Sequence, residues 1–341
     1  MSPPTDEPPI SIAMPVFNAL PYLDEAVESI LAQTWSDFEF VIYDDASTDG
    51  SSDKLEDWAR RDRRIKLTRG ERNLGPAGSS NQVVRLSSAP VVARMDADDI
   101  STPDRLQREW DILSSNPKVG IVGSLCDVID AEGRTLRGPE FWRLARSVFK
   151  PFPHGSMMFR RKVFDEIGGY REECEFWEDL DFVLRASRVC TVLVLPCSLY
   201  RYRQSPVSTR IASDQTRVEN AIDRRYRALS QLRATNSYDD VLEGASPDET
   251  KRVDPRVFVS LGSLALWSQR RPRVLRRFLR RARFGFDFAT AISAVWVSWA
   301  SFSPDTLRSV MNMASSLRSL DPRRKVSVDE PVEWLRPDDR S

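Results

Sequence analysis

Short apolar or β-branched runs, each closed by polar turn residues, recur along the N-terminal part of the chain: Ile10 to Met14, Phe38 to Tyr43, Arg64 to Thr68, Val91 to Met95 and Val119 to Val122. Runs of this length and composition read as strands. Between the first two, Leu23, Val27, Ile30 and Leu31 recur at helical spacing, and stretches 53–61 and 102–113 carry the same periodicity. Thr102 is placed to cap the last of these helices, with Pro103 at its first position. Strands alternating with helices build a parallel, doubly wound sheet, and such sheets bind ligands at the carboxyl ends of their strands.

After about residue 205 the strand signals stop. Val218, Ile222, Tyr226, Leu229 and Leu232 mark a long amphipathic helix over 213–236. Residues 237–250 are polar and acidic, with Gly244 and Pro247, as an exposed linker should be. Residues 251–320 read as four helices closed by Pro322, which leaves 321–341 as a disordered tail. The predicted organisation is therefore a main α/β domain over 1–236, a linker, and a helical appendage.

Charge sharpens that division. Lysine plus arginine equal aspartate plus glutamate at 50 each, a balance that argues against a nucleic-acid partner. Locally the balance fails: residues 251–341 hold about 18 basic against about 9 acidic side chains, roughly +9. The stretch 270–302 combines an arginine-rich segment bearing Val274, Leu275, Phe278 and Leu279 with Trp296 and Trp299, a pattern suited to peripheral contact with an anionic membrane. A packed subdomain with solvated arginines gives the same pattern. As a spanning helix, Phe284 to Phe302 is weak, because it contains Asp287, Gly285 and several hydroxyl residues. Met1 to Pro9 is proline-rich and acidic, where a secretory leader is basic and then apolar, so a cytoplasmic location is expected. Cys126, Cys174, Cys190 and Cys197 form no CxxC pair and His154 is the only histidine, so the cysteines read as reduced core thiols.

Three acidic clusters supply candidate chemistry. Asp96-Ala97-Asp98-Asp99 follows the apolar run 90–95; carboxylates at a strand end can offer hard oxygens to Mg²⁺ or Mn²⁺, which bridges to a diphosphate. A solvated acidic turn would look the same. Asp44-Asp45 ends the second strand and can accept hydrogen bonds from a base or ribose, or can form an Asx-type turn before the next helix. Trp177-Glu178-Asp179, with Asp181 following, can supply a general base, or simply the acids that a helix N-terminus favours.

Taken in order, Ser11-Ile12-Ala13-Met14-Pro15-Val16-Phe17-Asn18, Ala32-Gln33-Thr34-Trp35, Asp44-Asp45 with Ser47-Thr48-Asp49, Asn73-Leu74-Gly75, Asp96 to Asp99 and Glu178-Asp179 resemble the family-two glycosyltransferases of the GT-A fold. The resemblance covers roughly residues 9–205. It implies a Rossmann-like, mostly parallel sheet flanked by helices, and an inverting transferase with a nucleotide-sugar donor, UDP by base rate. It further implies a Mn²⁺ or Mg²⁺ cofactor and a glycan or lipid-linked acceptor in envelope polysaccharide synthesis. Carried residue by residue, Pro15, Val16, Phe17 and Asn18 line the nucleoside pocket and Asp45 meets the base. Asn73, Gly75, Asn81 and Asp96 fall on the donor side; Asp98 and Asp99 face ribose, diphosphate and metal, with Asp99 as the direct ligand. Asp179 matches the catalytic base with Glu178 beside it, while His154 and Trp177 fall on the acceptor side. Two positions depart from the pattern: Ser80 stands where many relatives have arginine, and Gln204 where some have histidine. Gly168-Gly169-Tyr170 fits a family turn beside the acceptor wall.

Two other classes compete. A nucleotidyltransferase that makes the sugar nucleotide would open with a glycine- and arginine-rich phosphate loop, but Pro15 to Leu20 has no glycine. A non-catalytic sugar-nucleotide binder would tolerate loss of the base, and Glu178-Asp179 is intact.

Overall fold

The computed structural model describes residues 8–139, 152–174, 177–204 and 332–335. In chain order these form β1 (Ile10–Val16), α1 (Leu23–Leu31), β2 (Phe38–Asp44), α2 (Ser51–Arg61), β3 (Ile65–Arg69), α3 (Gly75–Leu86) and β4 (Val91–Arg94). There follow β5 (Ile100–Ser101), α4 (Arg105–Ser115), β6 (Val119–Ile129), β7 (Thr135–Arg137), β8 (Met158–Arg160), α5 (Arg161–Ile167), α6 (Glu178–Ala186), β9 (Thr191–Arg203) and β10 (Val332–Leu335). All the described strands join one sheet in the order β10-β9-β6-β8-β4-β1-β2-β3, with β5 on β9 and β7 on β6.

The half β4-β1-β2-β3 is parallel, as the alternating pattern predicts. The other half is mixed: β8 runs antiparallel to both β4 and β6, and β9 runs parallel to β6. Strands covered on both faces read as near-continuous apolar runs, and β1 and β2 do so because one face packs on α1 and the other on α3. Ile12, Met14, Phe40 and Ile42 meet Leu23, Val27 and Ile30 of α1; Ala13 and Val41 belong with Val83 and Val84 of α3 and Phe182 of α6. Each fully buried aliphatic of α1 contributes about 1.5–3 kcal/mol.

Two expectations are corrected. Helix α4 starts at Arg105 with Asp104 as its cap residue, not at Thr102. Backbone pairing with β9 keeps residues 100–102 extended, and the Thr102 hydroxyl donates to Asp104 Oδ1 (3.0 Å) and to the Leu199 carbonyl (3.1 Å). The tail is also not wholly irregular, because Val332–Leu335 adds to β9 as an antiparallel strand. A run of strand formers next to an open sheet edge gains backbone hydrogen bonds that a free tail lacks.

The expected helix 213–236, linker 237–250, appendage 251–320 and membrane stretch 270–302 lie outside the described residues. Among the described residues no helix is long and apolar enough to cross a membrane. All four cysteines remain thiols, as expected, and burial pushes the Cys190 thiol up to about 12.

Candidate active site

The carboxyl ends of β1, β2 and β4 lie side by side on one edge of the sheet, so the residues following each strand share that edge. Beyond β1, Pro15 is half-buried, Phe17 is exposed, and the Val16 side chain belongs to the core. Asn18 takes a positive φ of 52°, which asparagine tolerates because its short amide bonds locally. Its Oδ1 accepts from Thr48 N (2.8 Å) while its own N–H donates to Ser47 Oγ (3.0 Å), so Asn18 knits the β1 loop to the β2 loop.

Asp45 is buried, and both its oxygens are held by backbone amides: Oδ1 by Leu74 N (2.7 Å) and Oδ2 by Gly75 N (3.1 Å). Burial and the charge of Asp44 raise its pKa, against the lowering effect of those two amides. Asn73 Oδ1 also accepts from Gly75 N (2.8 Å), and Gly75 adopts φ 75°, a region that glycine enters without penalty. Asp45, Asn73 and Gly75 thus form one folded wall. Asn81 belongs elsewhere: its amide donates to the Tyr170 carbonyl and accepts from the Tyr170 N–H, both at 2.8 Å. Ser80 is buried and donates to the Pro76 carbonyl (2.6 Å), so no side chain reaches out from that position.

The second cluster is built differently. Asp96 N donates to the Tyr200 hydroxyl (3.2 Å), and Asp96 Oδ1 pairs with Arg94 Nη2 (3.1 Å). Asp98 is half-buried; burial first, and then the charge of Asp96, push its carboxyl up to about 6. Asp99 is only 1% exposed: Oδ1 accepts from Arg203 N (2.7 Å), and Oδ2 is enclosed without a hydrogen-bond partner. Burial, then Asp98 and Asp96, raise its pKa well above the ordinary carboxylate range. Asp96 and Asp98, rather than Asp99, therefore reach the cleft. Arg203 backs this platform, donating to the carbonyls of Asp98 (2.8 Å) and Ala131 (2.9 Å), pairing with Glu25 and lying over Tyr22.

Underneath, the wholly buried Arg105 donates to the carbonyls of Arg94 (3.0 Å) and Gly155 (2.8 Å). Its companion Glu109 lies 3.9 Å away, also wholly buried, with a carboxyl pushed up to about 8 by burial. Gly155 is required here, since a Cβ would sit 1.9 Å from the Tyr200 hydroxyl oxygen.

On the opposite flank Trp177, buried, precedes α6, and Glu178 and Asp179 occupy the first turn of that helix, only 8% and 4% exposed. Asp181 is committed to Arg185 (2.8 Å), which also donates to the carbonyls of Ile167 and Gly169 (2.6 Å each) and so fastens the Gly168-Gly169 turn. That turn is present as expected, with φ 76° at both glycines. The two flanks meet at Tyr170, buried: its hydroxyl lies 2.8 Å from His154 Nε2, and burial raises its pKa against the pull of Arg94, with Asp179, Asp96 and Glu178 adding to the rise. Acids separated by more than eighty positions in the chain thus act on one phenol. Arg94, Arg105, Tyr170 and Tyr200 were the site residues without a chemical role in the sequence reading. A charge interrupting the apolar run 91–95 was the available signal for Arg94.

Comparison with known proteins bears on the family and the fold. The sequence profile of the family described as "Glycosyl transferase family 2" matches residues 11–171. The chain is 32% identical over 189 residues to a glycosyltransferase of Methanocaldococcus jannaschii, MJ1057, whose own activity is uncharacterised. That stretch is 53% of this chain and spans just under two thirds (65%) of the relative. Among solved structures, the mannosyltransferase PcManGT of Pyrobaculum calidifontis, in complex with GDP-Man and Mn²⁺, superposes with a TM-score of 0.54 at 17% identity, covering 94% of this chain and 89% of that one. S. aureus TarS 1-349 with UDP-GlcNAc gives 0.55 at 18% identity, covering 86% and 91%. At such identities these two likenesses concern the fold.

Proposed function

Since the chain belongs to glycosyl transferase family 2 through residues 11–171, we propose that it transfers a sugar, with inversion, from a nucleoside-diphosphate donor to an acceptor hydroxyl. The observation that supports this reading is that Asp45 and the Asp96–Asp99 turn follow parallel strands, β2 and β4, that both pair with β1, so their carboxylates share the carboxyl-end edge of one sheet.

Pro15, Phe17 and the wall of Asn73 and Gly75 would flank the nucleoside, and Asp45 would act by holding that wall. The donor set of the platform fits a hard divalent cation: burial first, and then the neighbouring acids, raise the pKa values of Asp98 and Asp99, and an added positive charge would relieve that cost. Among the described residues no group of three acid, histidine or cysteine side chains encloses a cation unaided. Mg²⁺ is commonly held by one or two carboxylates together with substrate phosphates. Asp98 would be the direct ligand, with Asp96 beside it and the buried Asp99 fixing the turn. When bound, the cation would neutralise the departing diphosphate.

Asp179 would take the proton of the acceptor hydroxyl as it attacks the anomeric carbon, a role for which Asp181 is already spent on Arg185. The buried flank of Trp177 and α6 would limit water, which otherwise competes with the acceptor. Both UDP and GDP sugars are bound by proteins of this fold, and UDP is proposed on family base rate. The acceptor would be a glycan or lipid-linked glycan of the cell envelope. The basic stretch 270–302 would hold the chain peripherally at an anionic inner leaflet, each basic residue adding about 1 kcal/mol. The test is a donor screen with purified full chain, Mn²⁺, a panel of nucleotide sugars and candidate acceptors, reading released nucleotide. Release above the no-enzyme control is expected with one donor, and none with any donor and acceptor would refute the reading.

A further inference from the structure

Arg94 is the charged residue of β4, a strand otherwise composed of Val91, Val92 and Ala93. Its guanidinium is buried and reaches three kinds of partner at once, backbone carbonyls, a carboxylate and an imidazole. Nη1 donates to the carbonyls of Ala13 (3.2 Å) and Met95 (3.3 Å), Nη2 pairs with Asp96 Oδ1 (3.1 Å), and Nε donates to His154 Nε2 (3.4 Å). An arginine nitrogen only donates. Beside that donor His154 Nε2 is suited to accept, with the Tyr170 hydroxyl, 2.8 Å from the same nitrogen, donating to it. An imidazole that accepts at Nε2 has its proton on Nδ1.

Tyr170 is itself fixed from two sides. Asn81 clasps its backbone through both ends of the amide, and its ring stacks on Phe182 with centroids 4.5 Å apart and planes 20° from parallel. Phe182 lies on α6, the helix whose first turn contains Glu178 and Asp179. From below, Arg105 holds the carbonyls at both Arg94 and Gly155, so the two ends of the Arg94–His154 contact share one support. A continuous path of hydrogen bonds and one ring stack runs from Asp96 to α6.

We propose that Arg94 is a positioning residue that couples the Asp96–Asp99 platform to the wall bearing Asp179, acting through a neutral His154, protonated on Nδ1, and through Tyr170. The proposal rests on the reading of those two groups as donor platform and base. Its content is that occupancy of the platform, by disturbing the Asp96–Arg94 pair, is felt at His154 and readies the far wall. Coupling of this kind commonly changes affinity about 5–150-fold.

The chain has a single histidine, which gives a direct readout. In the full chain labelled with ¹⁵N-histidine, the imidazole spectrum should show one neutral ring with the proton on Nδ1, and the signals should shift when UDP and Mg²⁺ are added. An imidazole protonated on Nε2, or a doubly protonated ring at pH 7.5, would overturn the proposal without any variant. Calorimetry on the same sample separates the two readings. No binding of UDP or GDP with Mg²⁺ would refute the donor platform, whereas binding without a histidine shift would overturn the coupling alone. In Arg94→Lys, which keeps the charge but cannot span three partners, UDP affinity should change less than about threefold while kcat falls about tenfold or more, with the histidine response lost. Arg94→Gln should behave alike. Tyr170→Phe should keep the Nδ1 proton and weaken the response. A full response and unchanged kcat in folded Arg94→Lys would refute the role of the guanidinium.

Discussion

Two acidic pairs at neighbouring strand ends look alike in sequence and are opposite in physics. Asp44-Asp45 is supplied with donors: Ser47 N and the Ser52 hydroxyl on Asp44, Leu74 N and Gly75 N on Asp45. Asp98-Asp99 is less fully supplied, with Arg203 N on Asp99 Oδ1, and burial together with the neighbouring acids raises both pKa values, as burial also raises that of Asp45. A saturated carboxylate is architecture, because its hydrogen-bonding capacity is already used. A buried carboxylate with acceptor capacity to spare would gain from an added cation. The contrast separates the proposed wall from the proposed binding platform at two positions that spacing alone treats equally.

Matched substitutions should break the symmetry. The largest effect is expected for Asp98→Asn, with donor turnover down about 10³-fold and UDP affinity in Mg²⁺ lost, both measurable by nucleotide release and calorimetry. Asp179→Asn should lower kcat about 10²-fold or more with UDP affinity unchanged, since a general base contributes at that scale and does not touch the donor diphosphate. Asp45→Asn, an identical change of charge to Asp98→Asn, should act on the fold. One backbone amide loses its acceptor, so denaturant unfolding should show a loss of about 1–3 kcal/mol while diphosphate binding survives. If Asp45→Asn instead abolished binding at full stability, the division between wall and platform would collapse.

Acidity sharpens the same contrast with smaller effects. Burial and the charge of Asp96 push the Asp98 carboxyl up to about 6, so UDP–Mg²⁺ affinity should fall as pH drops through that value, by up to about tenfold per unit below it. Apo stability should move the other way. The folded pKa values of Asp98 and Glu109 exceed their ordinary ones, so their contribution is complete in acid and is lost as pH rises through about 6 and about 8. Between pH 6 and 9 the wild-type Tm should decline and that of Glu109→Gln should decline less, a comparison within reach of scanning calorimetry.

Much of the parallel half was legible because its strands are apolar on both faces and end in acids, and because α1 shows a single apolar stripe. Helix α3 was not. Its Gly75-Pro76-Ala77-Gly78-Ser79-Ser80 start offers no stripe, and the helix is held by close approach to β1 and β2 and by serine hydroxyls donating to the carbonyls of Gly75 and Pro76. Within the site, the acids announced themselves and the residues that orient them did not. Nothing in the sequence marks Arg94, Arg105 and Arg203 as buried, because arginine rarely is, and only tertiary structure supplies the carbonyls they hold. The different settings of Asp98 and Asp99 were likewise hidden, since the burial of Asp99 involves the Arg203 amide arriving from a strand over a hundred positions away.

Strand β10 has a consequence for chain topology. The backbone leaves β9 at Arg203, beside the acid platform, and re-enters the sheet opposite Val194, nine residues back along the same strand, about 30 Å away. Strand β9 is thus flanked by β6 on one side and, over Val192–Val194, by β10 on the other, so that part of an otherwise open sheet edge is closed by backbone hydrogen bonds and withheld from pairing with another chain.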